Sequence, residues 1–143
     1  MTTRTVPVPL LPRAVRFLAL GAVLAVICYF SLVTAPPGPP TDQPFWDKQL
    51  HFVAYGGLTL AFAYATVHYR DRPLVRGALV LGGTLGVGLA IELTQGLSPE
   101  RYFGWGDLLA NGVGVLLASV WFLLERRIHF VRVRRFAATQ QES

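Results

Sequence analysis

Four apolar stretches, separated by short polar or proline-rich segments, follow one another along the 143-residue chain. Each is about twenty residues long, which is the length that an α-helix needs to cross a hydrocarbon core about 30 Å thick. The pattern predicts an all-α fold, namely a polytopic membrane protein with a bundle of four transmembrane helices. We expect the spans at about residues 17–35, 47–69, 74–97 and 105–124.

The first apolar run, Phe17 to Ala35, contains no charged residue. It has two interpretations, because a basic segment before it and small residues at its end are also typical of a cleaved signal peptide. The run is longer than the core of a usual signal peptide, and proline follows it at once. We therefore expect it to be retained as the first span.

Composition supports a single small membrane domain. The chain is 52% hydrophobic and 15% charged, against about 25% charged in an ordinary soluble domain. The pI near 10 would suit a nucleic-acid binder, but the basic residues flank apolar spans, so we expect no nucleic-acid partner. Cys28 is the only cysteine, which excludes an intrachain disulfide.

Lysine and arginine are distributed unequally between the two predicted sides of the membrane. All but two of the 13 lie in the termini or near the turn between the second and third spans, the exceptions being Lys48 and Arg101. By the positive-inside rule, both termini are cytoplasmic. Residues 1–16 then form a basic tail that we expect to be irregular. Residues 125–143 form a second basic tail that we expect to contact anionic lipid.

Polar residues occupy the edges of three predicted spans, where an ionisable side chain costs a few kcal/mol unless it is paired or hydrated. In the predicted topology all of these edges lie on the extracytoplasmic side of a bacterial plasma or inner membrane. We therefore expect one pocket that faces outward. Its candidate residues are Asp47, Lys48, His51, Tyr55, Glu92, Gln95, Arg101, Asp107 and Asn111.

These side chains suggest two kinds of role. Glu92, His51, Asp47 and Asp107 are the candidate catalytic acids and bases. Lys48 and Arg101 are candidates for binding an anionic group, and Gln95, Asn111 and Tyr55 for orienting a ligand. The competing interpretation is that the same polar groups join helices through hydrogen bonds. A metal site at Asp47, His51, Glu92 and Asp107 is conceivable, but the spacing is not diagnostic, and we expect neither metal nor cofactor.

Small residues recur at a spacing of four in the last two spans. Gly82 and Gly86 have the GxxxG spacing, and Ala110, Gly114 and Ala118 form a stripe on the fourth span. Such stripes let helices approach closely. We expect close helix packing at both, either within the chain or in an oligomer.

The ordered polar residues resemble those of the VanZ-like membrane proteins, a family named for a protein associated with low-level teicoplanin resistance. The resemblance rests on four motifs and covers about residues 46–124. It implies a small helical bundle in the cell envelope with a site at the matching polar positions, but it implies no particular reaction. The motifs are DKxxHFxxY from Asp47, ExxQ from Glu92, PxR from Pro99 and WxDxxxN from Trp105.

Three hypotheses for function follow from the pattern and the resemblance. In the first, the pocket binds or moves an amphipathic ligand, such as a lipid head group, a lipid-linked glycan or a lipoglycopeptide, with a link to glycopeptide resistance. In the second, the protein is an enzyme that uses His51 with Asp47 or Glu92 for acid–base chemistry on such a substrate. In the third, it is a structural or partner-binding membrane subunit.

Overall fold

The structure, a computed structural model, describes residues 6–34, 38, 45–99 and 103–132. This part of the chain is mostly helical, which confirms the all-α class. The helices are α1 (Arg13–Cys28), α2 (Trp46–Ala65), α3 (Pro73–Gly77), α4 (Gly83–Gly96), α5 (Trp105–Ala118) and α6 (Trp121–Leu124).

Three continuous helical rods are long and apolar enough to cross a membrane. The first rod consists of α1 and a π-helical turn, Tyr29–Val33. The second consists of α3, a π-helical turn at Ala78–Gly82, and α4. The helix α5 is followed by a turn, α6 and a 3-10 turn, Glu125–Arg127. The rods extend over Arg13–Val33, Pro73–Gly96 and Trp105–Arg127, so the first begins earlier than the predicted residue 17.

Helix α2 differs from these three rods. It has 20 residues and ends at Ala65, before the predicted residue 69, because the chain tightens into a 3-10 turn at Val67–Tyr69. Its first two turns carry the polar residues Asp47, Lys48 and His51. Helix α2 is not one of the three rods whose length and composition suit them to cross a membrane. The four-span bundle and the side on which the termini lie therefore stay predictions.

The packing of α2 on α5 forms the centre of the bundle and is the most extensive contact between two helices. The two helices touch at glycines: a Cβ atom added to Gly56 would lie 3.4 Å from the Gly114 carbonyl oxygen, and one added to Gly114 would overlap the Phe52 carbonyl oxygen. The predicted close packing of the α5 stripe is thus confirmed at Gly114. At the predicted GxxxG face the described part of the chain shows no close helix contact, since a Cβ atom added to Gly82 or Gly86 would have nothing within 4 Å.

A two-stranded parallel ribbon joins the two terminal segments. Strand β1 (Val6–Leu10) pairs with β2 (Ile128–Arg132), with Val6 opposite Ile128. The prediction of an irregular N-terminal tail is therefore wrong for β1. Prolines at positions 7 and 9 alternate along the strand, so they remove N–H groups from one edge only, as an edge strand allows. The Tyr64 hydroxyl of α2 donates to the Pro9 carbonyl oxygen at 3.0 Å and fixes β1 to the bundle.

Two buried arginines terminate α2 at the end of the bundle nearest this ribbon. The Arg16 guanidinium donates to the carbonyl oxygens of Tyr64 and Ala65, at 2.9 and 3.2 Å. The Arg76 guanidinium donates to the Ala63 carbonyl oxygen at 2.6 Å. The last carbonyls of a helix have no partner within the helix and carry partial negative charge, so these cations stabilise the α2 terminus.

Arg76 also forms a buried ion pair with Glu125. The distance from Arg76 Nη1 to Glu125 Oε2 is 2.7 Å, and each side chain is 4% exposed. The pair links the start of the second rod, Pro73–Gly96, to the end of the third, Trp105–Arg127. The distribution of charges used Arg16 and Arg76 to predict the orientation of the chain. In the structure both side chains are buried and stabilise the bundle.

Candidate functional site

The opposite end of the bundle gathers polar side chains from α2, α4 and α5. Lys48 is at their centre: its ammonium donates to Asp47 Oδ2 at 2.8 Å and also to Asp107 Oδ1 of α5. Asp47 is 62% exposed and Asp107 is 17% exposed. The pairing follows from the parallel packing of α2 on α5, which brings the first turns of both helices side by side.

His51 lies one turn below this ion pair and is 16% exposed. Its Nδ1 atom is 3.0 Å from Asn111 Oδ1, and its Nε2 atom is 3.8 Å from a carboxylate oxygen of both Asp47 and Asp107. The imidazole also stacks parallel to the Tyr55 ring, with the centroids 6.4 Å apart. Because the Asn111 oxygen is an acceptor, Nδ1 carries the proton in this arrangement and Nε2 faces the two carboxylates.

Glu92 is fully buried, with 0% exposure. One oxygen, Oε2, accepts a hydrogen bond from the backbone N–H of Gly104 at 3.0 Å, just before α5 begins. The other, Oε1, has no partner among the described residues, and neither have the buried Tyr55 hydroxyl and Asn111 Nδ2. A buried polar atom without a partner is costly, so three such atoms in one region mark a polar interior that is suited to water or to a ligand.

Gly88 brings these groups together, and sequence reasoning missed it. A Cβ atom at this position would lie 3.0 Å from Tyr55 Cε1 and 3.2 Å from Asn111 Nδ2. A larger residue would push the Tyr55 ring or the Asn111 amide away, so glycine suits this close approach of α4 to α2 and α5. Glu92 follows one turn later on the same helix face. Its sequence signal was hidden, because Gly88 is one of several glycines in the third predicted span.

A cavity of about 270 Å³ opens beside the cluster, between the end of α1 and the first turns of α2. The two kinds of side chain that line it differ in chemistry. Five lining residues are apolar, namely Val26, Ile27, Phe30, Leu50 and Ala54, and five are polar, namely Ser31, Asp47, His51, Tyr55 and Gln95. The contribution of α1 was not predicted, because nothing in an uncharged apolar run distinguishes the residues that line a cavity.

Gln95 connects α4 to the wall that α1 supplies. Its Nε2 atom donates to the Ser31 carbonyl oxygen at 2.8 Å, across the π-helical turn that ends the first rod. Arg101, the remaining predicted residue, lies outside the described residues. Of the nine predicted site residues, the other eight lie at this end of the bundle.

Asp47, His51 and Asp107 are also the candidates for holding a metal ion. One ligand atom from each lies within 4.8 Å of the others, and one imidazole with two carboxylates is a donor set that divalent metals accept. The Lys48 ammonium, however, already donates to both carboxylates. A metal ion would have to displace this cation, and Glu92 is not a member of the group.

Comparisons with known proteins give one relative. No family model matches the chain, and no solved structure matches it. Over 131 residues the chain is 30% identical to the uncharacterized protein C11E3.10 of the fission yeast Schizosaccharomyces pombe, and the match covers 89% of this chain and 80% of the yeast protein. The chain therefore belongs to the same family as this yeast protein.

Proposed function

We propose that the chain is a VanZ-like integral membrane protein whose polar pocket binds or moves an amphipathic ligand. The observation that carries the proposal is the cavity whose lining combines apolar side chains with a few polar ones. Ligand pockets are mostly apolar and contain a few polar groups that fix orientation. A chain lying along Val26, Phe30 and Ala54 would bring a head group to Asp47 and His51.

The size of the cavity limits the ligand. About 270 Å³ is slightly below the range of roughly 300–1,000 Å³ that is usual for small-molecule sites. We therefore propose that the pocket takes a head group with part of one chain, while the rest of the ligand stays in the bilayer. Exposed apolar side chains along the first rod, such as Leu18, Val26 and Val33, suit contact with lipid.

The proposed orientation has four spans, cytoplasmic termini and an outward-facing pocket. The distribution of lysine and arginine supports it. The proposed substrates are a lipid head group, a lipid-linked glycan or a lipoglycopeptide, with glycopeptide resistance as the proposed process. The relative is a yeast protein, so the family has a fungal member.

A second candidate is an enzyme with acid–base chemistry, and one specific contact favours it. His51 Nε2 lies 3.8 Å from both Asp47 Oδ1 and Asp107 Oδ1, and His51 and Asp47 both line the cavity. An imidazole held between carboxylates is suited to accept and return a proton. In this candidate Glu92 is a second acid behind the pocket.

Native mass spectrometry of the protein extracted in mild detergent tests the first proposal. We expect a co-purified lipid or lipid-linked species on the wild-type protein and its loss in Val26→Trp, which places a large side chain at the cavity rim. Leu18→Trp, at an exposed position of the same helix outside the cavity, is the matched control. A turnover assay on the retained species then separates carriage from catalysis. Equal retention by all three proteins would contradict the pocket.

A further inference from the structure

The charges around the cavity carry an inference about the head group of its ligand, which rests on the proposed function. The Lys48 ammonium contacts two carboxylates, those of Asp47 and Asp107. One positive charge thus faces two negative charges, and the cluster keeps an excess of one negative charge when His51 is neutral. The buried Glu92 carboxyl group lies behind it.

The excess charge faces the cavity. Asp47 lines it and is 62% exposed, so this carboxylate is the charged group that a ligand in the cavity meets. Among the lining residues that the structure describes, none is a lysine or an arginine. An anionic head group would therefore approach Asp47 without a cation on the wall, and like charges at short range repel strongly where water is partly excluded.

The hydrogen-bonding groups of the cavity also favour a positively charged head group. Lys48 directs its ammonium at the aspartates, and the Gln95 amide uses its Nε2 donor on the Ser31 carbonyl oxygen. The Tyr55 hydroxyl is a neutral donor in the lining, and the group of the lining that is negatively charged and exposed is the Asp47 carboxylate, an acceptor. An alkylammonium group supplies N–H donors and a positive charge together, and charge-assisted hydrogen bonds are the stronger kind.

We propose that the ligand is an amphiphile with a positively charged amino head group, held at Asp47 with its alkyl chain along the α1 wall. Phosphate and carboxylate head groups of the same chain length are then poor ligands. In this proposal Asp47 binds the charged head group and the α1 residues contact the alkyl chain. Substitutions can therefore test the two contacts separately.

The experiment uses the full-length protein in nanodiscs of phosphatidylcholine, with dodecylamine and dodecanoate as probes of equal chain length. Binding is measured from the increase in thermal stability as each probe is added. We expect dodecylamine to bind at least about tenfold more tightly than dodecanoate, and Asp47→Asn to remove that preference. Asp71→Asn removes one carboxylate from the exposed turn at the other end of the bundle and should leave both affinities unchanged.

Ala54→Phe and Val26→Trp both reduce the cavity, the first from α2 and the second from its rim, so one of them serves if the other fails to fold. Weaker dodecylamine binding in these variants supports the assignment. If dodecanoate binds as tightly as dodecylamine and both are lost on filling the cavity, the amino head group is refuted while the pocket stands. If neither probe responds to filling the cavity, the proposed function fails as well.

Discussion

At the scale of single residues, the most informative side chain is Glu92, a carboxyl group with no exposure one turn before the end of an apolar rod. Its position after eighteen nearly uncharged residues was visible in the sequence, and a functional or structural role could be inferred from that alone. Its partners could not. Glu92 accepts a hydrogen bond from the Gly104 N–H and lies near the Tyr55 hydroxyl, which has no partner among the described residues. Both positions depend on how α4 packs against α2 and the start of α5.

Glu92→Gln separates a ligand role from a structural role. The replacement has nearly the same shape and keeps an oxygen that can accept from the Gly104 N–H, so we expect the melting temperature to change by no more than a few degrees. Because Glu92 lies behind the cavity and does not line it, we expect the amphiphile to be retained less strongly than by the wild-type protein. A large fall in melting temperature with the ligand still bound would instead favour an interhelical role. Thermal unfolding in detergent and native mass spectrometry on the same sample provide the two readings.

His51 makes contacts that favour chemistry more directly. It joins the Asn111 amide on one side and faces two carboxylates on the other. We expect His51→Gln to abolish turnover if the protein is an enzyme, and to lower ligand affinity by about tenfold or less if it is a binder, since one neutral hydrogen bond is at stake. Turnover and affinity measured on the ligand that the wild-type protein retains distinguish the two.

At the scale of helices, the glycine contact between α2 and α5 decides whether the site assembles. Gly114→Ala places a methyl group on the Phe52 carbonyl oxygen, so the helices must separate. We expect the free energy of unfolding to fall by about 1–3 kcal/mol, as in other overpacked interiors. Gly112→Ala on the same helix, where an added Cβ atom has nothing within 4 Å, is the control. Equilibrium unfolding in detergent measures both, and equal stability of the two variants would contradict the close approach.

The buried pair of Arg76 and Glu125 fixes the other end of the bundle. Glu125→Gln leaves the Arg76 guanidinium buried without its counter-charge. Breaking such a pair from one side costs about 3–5 kcal/mol in soluble proteins, and we expect a destabilisation of this order. Asp71→Asn, the same change of charge at an exposed position, should change the free energy of unfolding by less than about 0.5 kcal/mol. A Glu125→Gln protein as stable as this control would contradict the buried ion pair.

At the scale of the whole molecule, the arrangement of charges predicts the orientation. We expect Arg101→Cys, in a Cys28→Ser background, to react with a membrane-impermeant maleimide added to intact cells. Ser143→Cys in the same background should react only after the membrane is permeabilised. Labelling of position 101 only after permeabilisation would reverse the predicted orientation.

The sequence by itself determined the helical class, the approximate bounds of three long apolar rods and the polar positions at their edges. These properties are local, because they depend on hydropathy and spacing within about twenty residues. It misjudged β1, where a short basic segment with Pro7, Pro9 and Pro12 suggested an irregular tail, because the pairing that makes it a strand comes from residues 128–132.

Only the tertiary structure decided which polar groups meet. Lys48 and Asp107 are separated by 59 positions and His51 and Asn111 by 60, and no local pattern records such pairs. The apolar cavity wall from α1, the close approach at Gly88 and the two arginines on the α2 terminus are of the same kind. Each depends on the distance between remote helices, which is set by the side-chain volumes on both sides of the contact, whereas the sequence of one helix gives only one side of it.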